Sequence, residues 1–347
     1  MIKVGSKNVQ LSNISVMLID PDKELSTLIR SVLKSLGFST IHVARDGTAA
    51  LNILHAHNVD LIITDWMMSP MDGINFVQKV RRDKDSPNPM VPVIMLTAQA
   101  KRWNVECARD TGMTEFMVKP FTAKQLCAKI TRVIESPRTF IVSPQYIGPD
   151  RRRKTEPYDA DSGERRCAHD EAAIAKYSKD KLHLGQKEHE VFLVDRDFSL
   201  KEKIGKSVNL DDIFSEANVR LAQKIIYEAK GDFLHWFAND LKQLEESHHH
   251  FTEHHETQNA KLQMAQAALR IKGRAGTFGY NLASHVADAL HDVLVQLHGE
   301  HDKIAQVIRK HMDAMYVILQ QDIAGDGGDI GTALIASLGE LTKKYLH

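Results

Sequence analysis

The feature that most constrains the fold of this chain is an apolar run ending in a single carboxylate, from Leu61 to Asp65. Leucine, isoleucine and threonine at these positions favour a strand buried on both faces. A polar segment containing Pro70 and Gly73 follows, and a helical pattern begins near Asn75. Because open α/β folds place their chemistry at the carboxyl edge of the sheet, the run predicts a strand that delivers Asp65 to that edge.

The same strand-then-helix unit recurs on both sides of this run. Val16–Ile19 is apolar and precedes Asp20, and leucines at helical spacing then continue to the helix stop at Gly37. Three further segments have strand character: Thr40–Ala44, Val91–Thr97 and Glu115–Val118. Five strands alternating with five helices predict an α/β domain with a parallel, doubly wound, five-stranded sheet.

The length and composition set bounds on the whole chain. Its 347 residues are enough for two domains, and its 45 basic and 45 acidic residues cancel, so no global charge favours nucleic acid or a membrane surface. Cys107, Cys127 and Cys167 lack CxxC spacing, which favours a reducing compartment. The chain start does not resemble a signal peptide, and no apolar run reaches the roughly 20 residues that span a bilayer. We therefore expect a cytoplasmic protein without a membrane span.

Residues 14–136, after an N-terminal tail at 1–13, resemble the receiver domain of two-component response regulators. The motif residues occur in the family's order at the predicted strand ends: Asp20, Asp65 within D-W-x-M-x-x-M-D-G, Thr97-Ala98, Phe116 and Lys119-Pro120-Phe121. The resemblance implies a flavodoxin-like receiver fold and a role in phosphorelay signal transduction. It implies no enzyme activity beyond the receiver's own phosphorylation and dephosphorylation.

The resemblance also implies a phosphoacceptor and a metal site. Asp65 would accept a phosphoryl group from a histidine kinase or histidine phosphotransfer protein, while Asp20, Asp65 and the Met67 backbone carbonyl would bind Mg²⁺. Receivers usually carry two adjacent acids after the first strand, but here the second position is Pro21, which cannot bind metal. Either Asp20 holds Mg²⁺ with Asp65 and water, or Asp22 reaches in, and we expect weakened affinity. Helix capping is the alternative role for Asp20 and Asp22.

Three further residues complete the implied switch. Lys119 would pair with the phosphoryl oxygens, and Thr97 would donate a hydroxyl hydrogen bond to them. Phe116 would then move inward together with the loop that follows the fourth predicted strand. Because phosphorylation adds roughly −1.5 to −2 charges, these contacts would exist only in the modified state.

Residues 137–205 are rich in proline, glycine and charge, which predicts a largely disordered linker. The basic run Arg151–Lys154 is typical of a solvated linker, although contact with nucleic acid or an acidic membrane is an alternative. The apolar segment Glu190–Val194 is either a strand or a segment that docks on a domain.

Residues 206–347 show only helical periodicity. Apolar stripes with i, i+3, i+4 and i+7 spacing predict an all-α, up-and-down helical bundle. Representative stripe positions on the five predicted helices are Leu241, Ile271, Leu290, Ile308 and Leu338. His311 lies in the fourth stripe and is expected in or beside the core. The histidines at 248–250 and 254–255 form either an exposed helix end or, at i and i+4, a metal-binding pair.

The second predicted bundle helix carries an unusual run from Leu269 to Gly279. With the surrounding bundle it resembles a histidine phosphotransfer domain, whose motif reads H-x-L-K-G-x-A-G-x-x-G. Lys272, Gly273 and Gly276 match this motif, but Leu269 occupies the position of the phosphorylatable histidine. The resemblance therefore implies a degenerate domain that serves as a receiver-docking or homodimer surface. The alternative is that the glycines only allow tight packing inside the bundle.

Taken together, these features predict a response regulator that signals through protein–protein contacts of its receiver and bundle, including receiver–bundle docking within one chain. A DNA-binding transcriptional regulator is one alternative, but no basic recognition helix is apparent, so nucleic acid is not an expected partner. An intermediate that passes phosphate onward is the other alternative, and Leu269 argues against it.

Overall fold

The structure, a computed structural model, describes residues 11–98, 109–143, 146–151, 192–194, 200–253, 257–296 and 300–346. The chain forms two compact units. The first contains Met1–Met117 with Ala123–Ala222, and the second contains Val118–Thr122 with Gln223–His347. No helix within the described ranges is long and apolar enough to cross a membrane.

The N-terminal part of the chain is built on a five-stranded sheet. Its strands are β1 (Ser15–Ile19), β2 (Thr40–Ala44), β3 (Leu61–Asp65), β4 (Val93–Thr97) and β5 (Glu115–Val118), in the order β2-β1-β3-β4-β5. The accompanying helices are α1 (Lys23–Ser35), α2 (Gly47–Ala56), α3 (Gly73–Arg82) and α4 (Ala123–Glu135). The predicted α/β class and sheet are confirmed. The helix expected between β4 and β5 lies largely outside the described residues.

Burial explains why these segments form strands and helices. Strands β3 and β4 are buried almost throughout, so they appear in the sequence as continuous apolar runs rather than alternating ones. Strand β2 lies at an edge and exposes Val43. Helix α1 buries one face through Leu25, Ile29 and Val32 and stops before Gly37, which has the positive φ of 107° that glycine allows. The result is a sheet enclosed by amphipathic helices.

The segment predicted to be a disordered linker contains ordered structure. Strands β6 (Phe140–Val142), β7 (Ile147–Pro149) and β8 (Phe192–Val194) form an antiparallel sheet in the order β7-β6-β8, and α5 (Leu200–Ile204) follows. The linker prediction is therefore corrected for these residues, and the described part of the apolar segment, Phe192–Val194, forms a strand. Residues 152–191, which held most of the predicted linker, lie outside the described residues.

A buried arginine joins this second sheet to the first. Arg81 of α3 is 1% exposed, donates from Nε to the Gly112 carbonyl at 3.0 Å, and donates from Nη1 to the carbonyls of Pro89 and Val91 at 2.6 and 2.8 Å. Its guanidinium also lies 5.2 Å from the centroid of the Phe140 ring in β6. Arg81 thus ties α3, the loop before β5 and β6 together.

Two glycines bring β7 close to the loop before β5. A Cβ added to Gly148 would lie 2.6 Å from the Cα of Gly112, which itself has a φ of 95°. Next to this contact, Arg151 pairs with Asp110 at 3.1 Å and stacks over Tyr146 at 4.1 Å from the ring centroid. The first residue of the predicted solvated basic run is therefore held on the first unit; the remaining residues of that run lie outside the described ranges.

The C-terminal part of the chain is helical, as predicted. The short α6 (Leu210–Ile213) precedes α7 (Glu216–Glu228), α8 (Lys230–Glu253), α9 (Thr257–Thr277), α10 (Asn281–Gln296), α11 (His301–Gln320) and α12 (Gly328–Leu346). Helix α8 packs against α9 and α11, α10 also packs against α9 and α11, and α12 lies on α10 and α11. The stripe expected to form one first helix is divided at Ala229 into α7 and α8.

Aromatic side chains fill one region of the helical core. The Phe233 ring lies 5.1 Å from Phe278 and 4.9 Å from Tyr280, measured between ring centroids. His311 is fully buried, as expected from its place in the stripe, and its Nδ1 lies 2.8 Å from the Val307 carbonyl oxygen. Its Nε2 has no hydrogen-bond partner. Burial lowers the pKa of His311 below its ordinary value.

Candidate functional site

Strand register brings Asp20 and Asp65 to the same edge of the sheet. Ile19 pairs with Thr64 across the parallel β1 and β3, so Asp20 and Asp65 follow at neighbouring positions. Adjacent strands lie about 4.8 Å apart. Asp20 is buried and Asp65 is half-buried. The fold therefore holds the two carboxylates at neighbouring positions of one sheet edge, and Asp65 is the more exposed of the two.

The turn after β3 folds back tightly on Asp65. The Trp66 backbone N–H donates to Asp65 Oδ1 at 2.7 Å, and the Gly73 N–H donates to the Trp66 carbonyl at 2.8 Å. A Cβ on Gly73 would lie only 2.2 Å from the Asp65 carbonyl oxygen, so glycine is required for this close approach. Met67 lies inside this turn with an exposed side chain.

Asp22 has a defined structural role after β1. Its Oδ1 accepts a hydrogen bond from the Leu25 N–H at 2.9 Å, which caps the N-terminus of α1. The Asp22 N–H in turn donates to Asp20 Oδ1 at 2.9 Å. Pro21 therefore lies in a turn organised around the Asp20 carboxylate, and the helix-capping alternative raised by the sequence describes Asp22.

The next two strands add a hydroxyl and an ammonium group. Asp65 pairs with Leu96 in β4, so the fully buried Thr97 is the next residue along that strand. Strand β5 neighbours β4, and Lys119 follows directly after β5 with 5% exposure. Phe116 of β5 is half-buried and packs against the apolar core beneath the sheet. All the residues predicted for the site lie on these strands or directly after them, except Met67 and Asp22.

The donor set suits a hard divalent cation. Mg²⁺ keeps several waters and is commonly held by one or two carboxylates, so Asp20 and Asp65 supply the required chemistry. A backbone carbonyl in the turn at Met67 would add a third oxygen. Within the described part of the chain, no group of three or more histidine, cysteine, aspartate or glutamate side chains forms an alternative metal site.

The helix predicted to carry a docking surface is largely buried. Leu269 of α9 is 6% exposed, and Gly273 is also buried. Lys272 pairs with Asp288 of α10 at 2.6 Å. Leu269 and Gly273 are therefore buried in this structure, and the role of this flank in binding another protein stays a prediction. Gly276 remains half-buried.

Sequence reasoning missed a buried charge cluster between α8 and α9. Asp240 accepts hydrogen bonds from Arg270 Nε and Arg274 Nη1, each at 3.1 Å, and both Asp240 and Arg274 are buried. A signal was available in the sequence, because Asp240 interrupts the apolar stripe formed by Phe237 and Leu241. An acid within such a stripe needs a partner, which the next helix provides.

The histidines at the end of α8 make separate contacts. His248 Nε2 lies 3.0 Å from the Ala305 carbonyl oxygen, whereas His249 lies 3.0 Å from Glu253 on the same helix. His254 and His255 lie outside the described residues. The metal-pair alternative therefore gains no support from His248 and His249.

Comparison with known proteins identifies the N-terminal part of the chain. Residues 16–131 match the family model described as the response regulator receiver domain. The chemotaxis protein CheY of Pseudomonas aeruginosa is 38% identical over 120 residues, which cover 35% of this chain and 95% of that protein. The chain belongs to the response regulator receiver family. CheY-3 of Vibrio cholerae is 33% identical over 123 residues, or 35% of this chain and 93% of its own length.

Solved receiver structures also match this part of the chain. Vibrio cholerae CheY4 is 28% identical and covers 35% of this chain and 98% of its own, with a TM-score of 0.32. A chain of the CheX–CheY–BeF₃–Mg²⁺ complex from Borrelia burgdorferi is 26% identical, and the match covers 35% of this chain and 88% of that chain, also with a TM-score of 0.32. On the family-model match and the identity to CheY, this protein is a receiver-domain response regulator of two-component signalling. The helices from α6 onward lie beyond the residues matched by the family model.

Proposed function

We propose that the receiver accepts a phosphoryl group on Asp65 from a phosphohistidine of a histidine kinase or histidine phosphotransfer protein. The observation that carries the proposal is the strand register, which puts Asp20 and Asp65 side by side at the carboxyl edge of the sheet. Along the same edge, Thr97 ends β4 and Lys119 directly follows β5. A nucleophile, a hydroxyl donor and a cation therefore converge on one edge.

The transfer is a displacement at phosphorus. An oxygen of the Asp65 carboxylate forms a bond to phosphorus while the phosphorus–nitrogen bond of the donor breaks, and the released imidazole takes up a proton. Lys119 pairs with the phosphoryl oxygens, and Thr97 donates its hydroxyl hydrogen to one of them. Hydrolysis later returns the carboxylate and inorganic phosphate, with water as the nucleophile.

Asp20, Asp65 and the Met67 carbonyl form the Mg²⁺ site in this proposal. When bound, the ion neutralises negative charge that would otherwise oppose the approach of a phosphoryl group to two carboxylates. Asp22 is assigned no metal role, because its Oδ1 caps α1. With Pro21 in place of a second acid, the expected Mg²⁺ affinity is weaker than that of a receiver with two adjacent acids.

The output in this proposal is protein–protein contact. Phosphorylation draws Thr97 towards the phosphoryl group, and Phe116 moves into the space that opens, which changes the surface near β4 and β5. The helical unit acts as a degenerate histidine phosphotransfer domain: Leu269 lacks a nucleophilic nitrogen, so the domain binds a receiver or a second copy of the chain without relaying phosphate.

The experiment that tests this function is intact-mass measurement of the full chain after incubation with acetyl phosphate and Mg²⁺. The expected result is a gain of one phosphoryl group that is lost with chelator and in Asp65→Asn. Asp85→Asn is the matched control, because Asp85 is an exposed acid in the turn after α3. A gain that survives Asp65→Asn would place the phosphoacceptor elsewhere, and no gain even with a phosphohistidine donor would overturn the proposal.

A further inference from the structure

The turn after β3 is held in part by a neighbouring helix. This turn contains the Met67 carbonyl that is assigned to Mg²⁺, and the Gly73 N–H closes it by donating to the Trp66 carbonyl at 2.8 Å. A further backbone hydrogen bond comes from outside: the N–H of Gly47, the first residue of α2, donates to the Met71 carbonyl oxygen at 3.1 Å. Helix α2 therefore contacts the turn between the expected metal ligand and the residue that closes it.

The contact between α2 and the turn leaves no space for a side chain at position 47. An added Cβ would lie 2.7 Å from Cγ and 2.8 Å from Sδ of Met71, and 2.9 Å from the Cβ of Phe76 in α3. Carbon atoms in contact are normally about 3.5–4.0 Å apart. Gly47 is buried, and Met71 packs against the apolar core of the receiver. A larger residue at position 47 must therefore displace Met71, Phe76 or the start of α2.

The cap of α2 explains why the Gly47 N–H donates to the turn. The first N–H groups of a helix have no partner within the helix. The Asp46 side chain accepts from the Thr48 and Ala49 N–H groups at 2.7 and 3.0 Å. The Gly47 N–H is satisfied instead by the Met71 carbonyl, so the turn after β3 completes the N-terminal cap of α2. A displacement of either element changes the position of the other.

We infer that Gly47 is a positioning residue for the phosphoacceptor site, because its N–H and its lack of a side chain set the position of the turn that contains the Met67 carbonyl. The inference rests on the proposed function, since the turn matters here through Mg²⁺ and the phosphoryl group. Met71 lies between Met67 and Gly73, and Gly73 is in close contact with the Asp65 carbonyl. A shift of Met71 therefore reaches the Met67 carbonyl through a short stretch of backbone.

The test compares Gly47→Ala with Leu54→Ala in the full chain. Isothermal titration with Mg²⁺ should show a dissociation constant about ten-fold higher or more in Gly47→Ala, the lower end of the effect of residues that orient metal ligands. Phosphoryl accumulation from acetyl phosphate should fall at low Mg²⁺ and recover at high Mg²⁺. Leu54 is a core residue near the other end of α2, so Leu54→Ala should lower stability and leave Mg²⁺ binding unchanged.

A second substitution tests the steric cause. Met71→Ala removes the Cγ and Sδ atoms that the new Cβ meets, so adding it to Gly47→Ala should restore part of the Mg²⁺ affinity, while the contact with Phe76 remains. If Gly47→Ala does not fold, the double variant is compared with Met71→Ala alone. Weaker Mg²⁺ binding in the double variant then supports the inference, and equal binding overturns it.

Two results with a folded Gly47→Ala variant would overturn the inference. One is Mg²⁺ binding equal to that of the unmodified chain. The other is an equal loss of Mg²⁺ binding in Leu54→Ala, since the effect would then follow from lower stability alone. Failure of the proposed function looks different: the unmodified chain then takes up no phosphoryl group from any donor, while the Mg²⁺ titration still reports the effect of Gly47 on the site.

Discussion

The receiver and the helical unit place their acidic side chains by different means. In the helical unit, Asp240 lies between Arg270 and Arg274 of the next helix, so the protein supplies the neutralising cations itself. In the receiver, Asp20 and Asp65 are brought side by side by strand register. The difference teaches that a buried acid held by cations from a neighbouring helix stabilises a fold, whereas adjacent acids at a sheet edge are suited to bind a cation and to react.

Removing the carboxylate of Asp240 should have the largest effect on stability. Asp240→Ala leaves Arg274 buried without its partner, and breaking a buried ion pair in this way costs about 3–5 kcal/mol. Urea unfolding followed by circular dichroism measures the loss. The control is Asp288→Ala, whose carboxylate is 43% exposed beside Lys272 and should cost less than about 1 kcal/mol. Equal losses in both variants would show that the buried position of Asp240 adds nothing to the worth of its ion pairs.

Disrupting the tight turn after Asp65 should have the next largest effect on stability. Gly73→Ala places a Cβ against the Asp65 carbonyl oxygen, and such overpacking costs about 1–3 kcal/mol. Because the end of β3 must shift, phosphoryl accumulation on Asp65 should fall as well. Gly231→Ala, in open space, should leave accumulation unchanged and stability equal or slightly higher. Normal phosphorylation in Gly73→Ala would show that the turn does not position Asp65.

The buried His311 should make the helical unit sensitive to pH. Burial lowers its pKa below the ordinary 6.5, so the unfolded chain binds an extra proton between the two pKa values. The free energy of unfolding therefore falls as the pH drops below about 6.5, by at most about 1.4 kcal/mol per pH unit for one proton.

The variant His311→Leu isolates this contribution. Denaturation at about pH 7.5 and about pH 5.5, which bracket the ordinary histidine pKa, should show a smaller loss of stability in the variant than in the unmodified chain. Phosphorylation of Asp65 should be unaffected at either pH. An identical loss in both proteins would mean that His311 is protonated equally in the folded and unfolded states.

Within the receiver, Asp22 tests the same contrast between acids that stabilise the fold and acids that bind a cation, because its carboxylate caps α1. Asp22→Ala removes the cap of α1 and should cost about 1 kcal/mol, whereas Asp22→Asn keeps a capping oxygen and should cost a few tenths. Both variants should retain Mg²⁺-dependent phosphorylation, measured by intact mass. Loss of Mg²⁺-dependent phosphorylation in Asp22→Asn, without loss of stability, would instead make Asp22 a metal ligand.

The receiver fold could be predicted because each strand carries its own local signal. Leu61–Asp65 and Glu115–Val118 coincide with β3 and β5; β3 is the clearer case, since a buried parallel strand is a continuous apolar run bounded by polar turns. The place of Asp65 followed from that pattern. The capping role of Asp22 did not, because choosing between a metal ligand and a cap depends on where the carboxylate points, and this is a property of the folded turn.

The second sheet could not be predicted, for a different physical reason. Its strands have three residues each, too few to show a period of two, and β8 pairs with a strand far away in the sequence. The burial of Leu269 and Gly273 in α9 was also hidden, since the arrangement of elements around a helix is not specified by any single stripe. The features that the sequence did not predict therefore depend mostly on contacts between residues far apart in the chain.

The pairing of β6 with β8 also sets an order of events during synthesis. Val142 leaves the ribosome well before its partner Phe192, and at roughly 5–20 residues per second the gap between them corresponds to roughly 3–10 s. Throughout that interval one edge of β6 has no strand beside it, and unpaired edges are templates for pairing with other chains. The nascent protein therefore passes through a stage with its receiver segment already made and this edge still open, and slower translation of residues 143–191 would prolong it.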